Sequence, residues 1–365
     1  MRRTVAAGPP EPLRPLRTIA AVIDLRSDTA TRPTAGMRAA IAAAAVGDEQ
    51  KREDPTVNEL EERAARLLGQ DEAIFLPTAT MANQIAIRLH TELGDELIGE
   101  ENCHVFISEL GGPAVHSGVV TRGLQGVAGR YSGEQVRASY REPAIHSPRT
   151  RLLWVENTHN ASGGRVWPLE EIGELRALAL ELDLRFHLDG ARLMNAAVAT
   201  GVDAAEIGSR FDTVTLCLSK GLGCPLGAIL AGRSDVMSNA RRLKHLFGGA
   251  MRQAGIVAAA GVYALDNHVE RLADDHRRAK RLAQGLAEAG LAVDPDRVET
   301  NFVQIDVAPL TKEEAAARLA EQGVGLSATI HPTILRAVTH LDITDDDIDG
   351  ALESVPRALG ARVSA

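Results

Sequence analysis

The stretch of sequence that decides the fold is FHLDGAR, residues 186–192. It begins as a short apolar run and ends in the acid Asp189 and a glycine, a pattern typical of a buried strand that terminates at a ligand site. A second apolar run, TVTLCLSKG at 213–221, ends in Lys220. Because the carboxyl ends of parallel strands meet at one edge of a sheet, we expect Asp189 and Lys220 to lie in one site.

Short apolar runs alternate with amphipathic stretches on both sides of these two segments. The alternation begins near Val22 and predicts an α/β fold, in which a mainly parallel sheet is sandwiched by crossover helices. The predicted strands are short and continuously apolar, whereas the predicted helices carry apolar residues on one face. The predicted strands are 73–76, 151–155, 185–188, 213–218 and 228–231, and the predicted helices are 57–68, 81–91, 169–181 and 269–289.

A different pattern follows the last of these helices. Two predicted strands, 301–307 and 337–341, flank a predicted helix at 311–322, which indicates a small C-terminal α+β domain. The first residues carry Gly and several Pro in place of the continuous apolar run of a secretory signal. We therefore predict a mobile N-terminal tail at 1–20, a large cofactor-binding domain at 21–268 and a small C-terminal domain at 269–365.

The composition limits the class of protein. The chain has 365 residues, of which 45% are hydrophobic and 24% charged, as is usual for a globular protein of two domains. The 49 acidic and 40 basic residues give a net charge of −9, which argues against nucleic acid as a partner. Apolar stretches such as 256–265 fall short of the roughly 20 residues that cross a bilayer, so no membrane partner is predicted. Three cysteines without a CxxC pair suit a reducing cytoplasm.

Asp189 and Lys220 are the pair that a pyridoxal phosphate enzyme needs. The acid keeps the ring nitrogen protonated and the lysine binds the cofactor aldehyde, so the two groups serve opposite ends of one ring. The protonated ring then accepts electrons from a bond broken at the substrate's α-carbon. For either residue alone, a surface salt bridge is the alternative. Gly190 beside the acid, with Gly221 and Gly223 beside the lysine, favours close approach of a ligand.

Six segments of the chain form an ordered set. They are DLRSDT (24–29), EDPT (53–56), ENTHN (156–160), LDGAR (188–192), SKGLG (219–223) and MRQ (251–253). Together they resemble the low-specificity L-threonine aldolases, a family within the aspartate-aminotransferase-like fold of pyridoxal phosphate enzymes, fold type I. The resemblance runs from Ile23 to Leu341, and six ordered matches are more specific than any one of them.

The resemblance implies roles for individual residues. Lys220 binds the cofactor aldehyde and Asp189 pairs with the ring nitrogen. Arg192 lies near the cofactor's phenolate oxygen and the substrate carboxylate, two anions that suit a guanidinium group. Ser27 and Arg336 hold the substrate's α-carboxylate from the N-terminal segment and the small domain respectively, and the arginine gives a bidentate grip.

Residues 77–80, PTAT, end a predicted strand and precede a predicted helix. Their backbone N–H groups and the hydroxyls of Thr78 and Thr80 are predicted to cradle the cofactor phosphate, and Ala79 stands where the family usually has glycine. A plain helix cap is the alternative for these residues.

Two histidines match the family pattern. His104 resembles the histidine that stacks on the cofactor ring, and His159 resembles the one that lies near the substrate hydroxyl. An unperturbed imidazole has a pKa suited to general base work. The sequence leaves open whether His104, His159 or a bound water removes the hydroxyl proton.

Arg252 resembles a residue that reaches the phosphate region of a neighbouring subunit, which implies an obligate homo-oligomer, a dimer or a homotetramer, with shared sites. His245 stands where the family has a lysine, and the adjacent Lys244 is a candidate replacement.

Lys51 and Arg52 stand where the family has Tyr-Gly, in a segment that borders the site. These two cations suggest a pocket for a bulkier or acidic substrate, with Lys51 in contact with it; a solvated loop is the alternative.

The predicted reaction is the reversible retro-aldol cleavage of an L-β-hydroxy-α-amino acid, such as threonine or allo-threonine, to glycine and an aldehyde. One alternative is β-elimination or transaldol chemistry with the same cofactor. Another is an inactive scaffold that acts as a binding protein, because fold alone does not fix function. No metal site is predicted. The expected partners are a small amino acid substrate and further copies of this chain.

Overall fold

The computed structural model describes residues 23–360, and the tail predicted at 1–20 lies outside them. Twelve β-strands lie within the described residues. They are β1 (Ile23–Asp24), β2 (Glu72–Leu76), β3 (Glu96–Glu100), β4 (Val120–Leu124), β5 (Thr150–Glu156), β6 (Arg185–Gly190), β7 (Thr213–Cys217), β8 (Ala228–Gly232), β9 (Phe302–Asp306), β10 (Val324–Gly325), β11 (Ser327–Ala328) and β12 (Ile334–Val338).

Fourteen α-helices lie within the same residues, and none of them is long and apolar enough to span a membrane. They are α1 (Ala35–Ala42), α2 (Pro55–Leu67), α3 (Ala79–His90), α4 (His104–Ile107), α5 (Gly112–Ser117), α6 (Gly133–Ser139), α7 (Leu169–Glu181), α8 (Leu193–Thr200), α9 (Ala204–Gly208), α10 (Ser234–Leu246), α11 (Gly255–Asn267), α12 (Leu272–Glu288), α13 (Lys312–Glu321) and α14 (Asp345–Leu359).

A seven-stranded sheet in the order β2-β8-β7-β6-β5-β3-β4 forms the centre of the fold. Strand β8 runs antiparallel to both of its neighbours, and the other six strands run parallel to one another. The carboxyl ends of β2, β3, β5, β6 and β7 therefore share one edge. Asp189 of β6 lies opposite Glu156 of β5 and Thr215 of β7, so the loops that follow these strands start at nearly the same level. This edge is where the predicted site residues collect.

Two separate hydrophobic clusters account for much of the core. The larger one joins the central sheet to α2, α7 and α11. The second is built from α12, α13, α14 and the strands β9, β10 and β12, and it also contains Leu25, which is fully buried. Burying one leucine side chain contributes about 2 kcal/mol, so Leu25 anchors the N-terminal segment against the C-terminal elements. The second cluster supports the small domain, whose predicted boundary at residue 269 stays a prediction.

The predicted α/β class with a mainly parallel sheet is confirmed, and α7 has the predicted bounds 169–181. The strand predicted at 337–341 was misplaced, because β12 begins at Ile334 and ends at Val338. Strand β3 was missed because its sequence ELIGE places glutamates at both ends of the apolar run. Both glutamates are buried with basic partners: Glu96 accepts from Arg122 at 2.9 Å, and Glu100 lies 3.1 Å from His159.

Candidate active site

Five predicted site residues lie at the carboxyl edge of the central sheet. Asp189 is part of β6, and Lys220 follows β7. Thr78, His104 and His159 follow β2, β3 and β5 respectively. The structure therefore brings together residues that are far apart in the sequence, as the strand pattern predicts.

Asp189 is a buried carboxylate held by neutral groups. Its side-chain oxygens accept from Nδ2 of Asn83 at 2.8 Å and from the N–H of Ala191 at 3.1 Å. The residue is only 1% exposed. Because neither donor carries a charge, the negative charge of the carboxylate remains available to a cationic partner in the site.

The backbone around Lys220 forms a tight turn. The carbonyl oxygen of Lys220 accepts from the N–H of Gly223 at 2.8 Å and from the hydroxyl of Thr31 at 2.9 Å. Gly223 has a φ of 76°, a conformation that glycine adopts without steric cost. The turn fixes the Lys220 backbone and ties it to the N-terminal segment, while its side chain is half-buried.

Asp28 and Arg192 form a buried bidentate ion pair. Nε and Nη2 of Arg192 donate to the two oxygens of Asp28 at 2.7 and 2.8 Å. Burial alone would raise the pKa of the Asp28 carboxyl, but the guanidinium charge of Arg192 outweighs it and lowers the pKa to about 2. The pair holds the N-terminal segment, including Ser27, against the loop after β6. The Ser27 oxygen accepts from the N–H and the hydroxyl of Thr29, which leaves its own O–H as a donor.

Arg336 of β12 meets Arg192 at a shared acceptor. Oδ1 of Asn160 accepts from Arg336 at 2.8 Å and from Arg192 at 3.3 Å. Both guanidinium groups lie over the Phe302 ring, 5.4 and 4.7 Å from its centroid. Burial and the neighbouring charge of Arg192 lower the pKa of Arg336, and its Nε is buried without a hydrogen-bond partner among residues 23–360. The cluster of Asp28, Arg192 and Arg336 therefore contains two cations and one carboxylate. It has room for one more negative charge.

His104 is held by a buried glutamate. Its Nδ1 lies 3.0 Å from Oε1 of Glu109, and its backbone N–H donates to Glu156 at 2.5 Å. The Glu109 carboxylate raises the pKa of His104. The Glu109 side chain is fully buried, whereas that of His104 is 34% exposed. Glu109 therefore orients an imidazole that is partly exposed.

His159 is enclosed more completely than expected for a residue that touches substrate. Its Nε2 lies 3.1 Å from Glu100, and its Nδ1 accepts from the N–H of Ser162 at 3.3 Å. Gly129 packs so closely on the ring that a side chain at this position would overlap it. Burial lowers the pKa of His159, but the charges of Glu156 and Glu100 raise it overall. Neither ring nitrogen faces open space in this arrangement.

Thr78 caps helix α3, and Ala79 and Thr80 are its first two residues. The Thr78 hydroxyl accepts from the N–H of Met81 at 3.1 Å, so the cap that was the alternative interpretation is present. The first N–H groups of a helix have no partner within the helix, and the remaining ones, at Ala79 and Thr80, suit an anion such as a phosphate. Thr78 and Thr80 are both exposed.

Lys51 and Arg252 pair with the same acid and make no hydrogen bond or ion pair with the residues at the carboxyl edge. Arg252 lies 3.2 Å from Asp48, and Lys51 lies 3.9 Å from it. Their side chains are 63% and 68% exposed. Within one chain they form a surface feature.

Lys244, the candidate replacement at the position next to His245, already has a partner within its own chain. It is buried and forms an ion pair with Glu49, which also accepts from the N–H of Met251 at 2.9 Å. His245 is exposed. Because leaving the buried Glu49 unpaired would be costly, Lys244 is held in this ion pair, and its replacement of the family's lysine stays a prediction.

Comparison with known proteins bears on this geometry. Residues 24–309 match the family model described as beta-eliminating lyase. The chain is 43% identical to the low specificity L-threonine aldolase of Escherichia coli (strain K12) over 329 residues, which cover 90% of this chain and 96% of that relative. This chain belongs to the low-specificity L-threonine aldolase family. The predicted family and the predicted lyase class are thereby confirmed.

Solved structures of two other proteins share the fold of this aldolase-family chain. The Leishmania major threonine aldolase has a TM-score of 0.79 at 19% identity, covering 92% of this chain and 99% of that one. A double mutant of the Thermus thermophilus aspartate aminotransferase has a TM-score of 0.70 at 17% identity, with coverages of 93% and 92%. The predicted aspartate-aminotransferase-like fold is confirmed.

Five residues that build the site were missed by sequence analysis. Asp28, Glu156 and Asn160 lie inside two of the motifs, at 24–29 and 156–160, and the motifs themselves are the signal that could have found them. Asn83 lies inside helix α3, and Glu109 lies in the short connection between α4 and α5. Nothing in their local sequence distinguishes them from ordinary polar residues.

Proposed function

We propose that this protein uses pyridoxal 5'-phosphate to cleave L-threonine, L-allo-threonine or a related L-β-hydroxy-α-amino acid to glycine and an aldehyde. The observation that carries the proposal is the placement of Asp189 and Lys220 at the carboxyl ends of the adjacent strands β6 and β7. The site lies in a chain of the threonine aldolase family. The experiment that tests it is product analysis with L-threonine, for which we expect glycine and acetaldehyde in equal amounts.

The residues present fit this cofactor. Asp189 is a buried carboxylate with only neutral donors, as a protonated ring nitrogen requires. Ala79 and Thr80 offer N–H groups at a helix start for the phosphate. Lys220 is half-buried on a fixed backbone, so its amine can bond to the aldehyde. His104 lies near Asp189, where its partly exposed imidazole would contact the ring.

Pyridoxal phosphate, when bound, supplies an electron sink for the bond broken at the α-carbon. Lys220 would hold the cofactor aldehyde through its amine. Asp189, oriented by Asn83 and Ala191, would keep the ring nitrogen protonated. The chain's remaining task is to place the substrate carboxylate and to receive the hydroxyl proton.

Ser27, Arg192 and Arg336 bind the substrate carboxylate in this proposal. The two arginines share Asn160 and have one acid, Asp28, between them. A substrate carboxylate supplies the missing negative charge, and the Ser27 hydroxyl adds a further donor.

His104 is the group that receives the hydroxyl proton in this proposal. An ionised Glu109 is an acceptor only, so Nδ1 of His104 carries the hydrogen and Nε2 keeps its lone pair. The ring itself is partly exposed, with 34% of the His104 side chain accessible. A direct catalytic part for His159 stays a prediction, since its ring is enclosed by Glu100 and Gly129.

Replacing Arg336 with glutamine tests the carboxylate site. A hydrogen bond to a charged group contributes about 1.5–3 kcal/mol, so we expect KM for L-threonine to rise by roughly tenfold to a hundredfold, with a smaller change in kcat. Arg233→Gln is the control, because Arg233 is a surface arginine paired with Asp235. An unchanged KM in the Arg336 variant would exclude this residue from substrate binding.

The proposal includes a homo-oligomer with shared sites. Residues 47–54 dock on residues 244–255: the N–H of Glu49 donates to the Arg252 carbonyl at 3.0 Å, and Asp54 accepts from the N–H of Gly255 at 2.9 Å. This fixed unit presents Arg252 and Lys51 to the surface. The start of α3 is exposed as well, and an arginine from a second copy would complete its phosphate site.

Mixing two inactive variants tests the shared site. We expect co-refolded Lys220→Ala and Arg252→Ala chains to regain about a quarter of wild-type activity. Half of the random dimers are mixed, and each mixed dimer holds one site with both residues intact. The control is the same mixture combined after folding, which keeps the low activity of its parts. Absence of recovery in co-refolded samples that do contain mixed dimers would show that Arg252 serves its own chain.

A second reaction deserves testing because the matching family model is described as beta-eliminating lyase. Elimination from L-threonine gives 2-oxobutanoate and ammonia in place of glycine and acetaldehyde. Lys51 and the exposed Arg52 also supply cations for a bulkier or acidic β-hydroxy amino acid. Product analysis with such substrates, in wild type and in the Lys51→Tyr/Arg52→Gly double variant, separates these cases.

A cytoplasmic location is part of the proposal. Cys103, Cys217 and Cys224 are free and buried, which suits a reducing compartment. The net charge of −9 also argues against nucleic acid as a partner.

A further inference from the structure

We propose that Glu109 is a positioning residue that fixes the hydrogen-bonding state of His104 and links it, through Asn83, to Asp189. Its consequence is that Nε2 of His104 is the nitrogen available to the substrate proton. The inference rests on the proposed aldolase function and adds to it a residue that lies outside all six sequence motifs.

Glu109 has the contacts of a buried charge that is held in one orientation. Oε1 accepts from Nδ2 of Asn83 at 2.9 Å and faces Nδ1 of His104 at 3.0 Å. Oε2 accepts from Nε2 of Gln84 at 2.6 Å. A fully buried carboxylate needs several donors to offset its lost hydration, and three side chains provide them. Because these donors fix the carboxylate, Glu109 in turn fixes the imidazole.

The backbone beside Glu109 is held in a costly conformation. Leu110 has a φ of 54° and Gly111 a φ of 72°, and the left-handed conformation is sterically unfavourable for a non-glycine residue. The Leu110 side chain is 100% exposed, so burial of this leucine does not offset the cost. The N–H of Gly112 donates to the Glu109 carbonyl at 2.8 Å. This turn directs the Glu109 side chain inward and the leucine outward, as is common where strain maintains a functional group.

Asn83 connects Glu109 to the acid of the cofactor site. The two hydrogens on its Nδ2 serve Oε1 of Glu109 and Oδ2 of Asp189, at 2.9 and 2.8 Å. One side-chain nitrogen or oxygen of each of His104, Glu109 and Asp189 lies within 4.8 Å of the other two. The amide of Asn83 lies between the two acids and donates to both. A change in charge at Glu109 is thus transmitted to both His104 and Asp189.

Three acids face His104 from the elements around it. Glu109 comes from the α4–α5 connection, Glu156 from β5 and Asp189 from β6. The hydrogen bond to Glu109 is the largest cause that raises the pKa of His104, burial opposes it, and the charges of Asp189 and Glu156 add to the increase. Removing the Glu109 charge is therefore expected to lower the pKa of His104. The ring then loses its proton at lower pH, so the acidic limb of the pH–rate profile moves to lower pH.

The test is a histidine titration of the full chain by NMR, with and without added pyridoxal phosphate. In the wild type we expect His104 to carry hydrogen on Nδ1 when neutral, with a pKa above that of an ordinary histidine. In Glu109→Gln we expect the pKa to fall and the tautomer preference to disappear. The matched control is Glu100→Gln, which removes the acid beside His159. We expect the pKa and the tautomer of His104 to be unchanged in this variant.

Kinetics provide the second readout. We expect kcat of Glu109→Gln to fall by about tenfold to a hundredfold, part of what a positioned base contributes, with KM little changed. Glu109→Asp keeps the charge and is expected to retain a raised His104 pKa and an intermediate kcat. If the glutamine variant does not fold, an ordinary His104 pKa in the aspartate variant overturns the proposal.

An unchanged titration and tautomer in a folded Glu109→Gln protein would also overturn it. The titration does not depend on turnover. A wild type that lacks aldolase activity but shows the Glu109-dependent titration would therefore refute the proposed function and leave the positioning role in place.

Discussion

Replacing Lys220 with alanine is expected to lower threonine cleavage by at least about a thousandfold, the scale of loss when a residue that forms a covalent bond is removed. The amine is what binds the cofactor aldehyde in our account, and the backbone turn at Gly223 holds it in place. The variant is also expected to lose the absorption band of the lysine-bound cofactor. Both quantities are measured on purified protein with saturating pyridoxal phosphate.

A suitable control for this variant is Lys280→Ala. Lys280 is a surface lysine that donates to the Pro295 carbonyl, so its removal is expected to leave activity and spectrum as in the wild type. If the Lys220 variant retained more than a tenth of wild-type kcat, the assignment of the covalent role would be wrong.

Replacing Asp189 with asparagine is expected to lower kcat/KM by about a hundredfold to a thousandfold, the size of loss found when one preorganised electrostatic group is removed. Asparagine has nearly the same volume as aspartate but carries no charge, and it places an amide nitrogen or oxygen opposite the Nδ2 group of Asn83. The ring nitrogen then has no anion to keep it protonated. Steady-state kinetics and the spectrum of the bound cofactor measure the effect.

The control for this variant is Asp212→Asn. Asp212 is another buried acid, but it lies at the amino end of β7 and accepts from Arg176 at 3.1 Å and from the N–H of Phe186 at 2.8 Å. We expect a loss of thermal stability with kcat nearly unchanged. Near-normal activity in Asp189→Asn, or an equal kcat loss in the control, would contradict the role given to Asp189.

The elements of the fold were predictable where a short run of neighbouring residues determines whether a strand or a helix forms. Apolar strands that end in Asp189 and Lys220 identified both the α/β class and the edge that holds the site. Strand β3 was not predictable, because Glu96 and Glu100 are acceptable in a buried strand only when Arg122 and His159 neutralise them. Those partners come from distant parts of the chain.

The residues that orient the site were harder to predict than those that carry the chemistry. The motifs contain both Arg192 and Asp28, but their pairing becomes evident only when the N-terminal segment packs through Leu25 on the C-terminal cluster. Glu109 is defined by contacts with Asn83 and His104 that need the folded sheet. Lys244 is a further example. Its buried ion pair with Glu49 is not evident from the sequence, in which this lysine looks free for another role.

The central claim is that Lys220 binds pyridoxal phosphate in an enzyme that cleaves L-threonine. The most direct measurement is borohydride reduction of the wild-type protein loaded with the cofactor, followed by mass spectrometry of its peptides, on a sample whose acetaldehyde release from L-threonine is recorded first. Our account predicts acetaldehyde release and a reduced cofactor on the peptide that contains Lys220. A cofactor fixed to another lysine, or no fixed cofactor in a protein that still releases acetaldehyde, would contradict it.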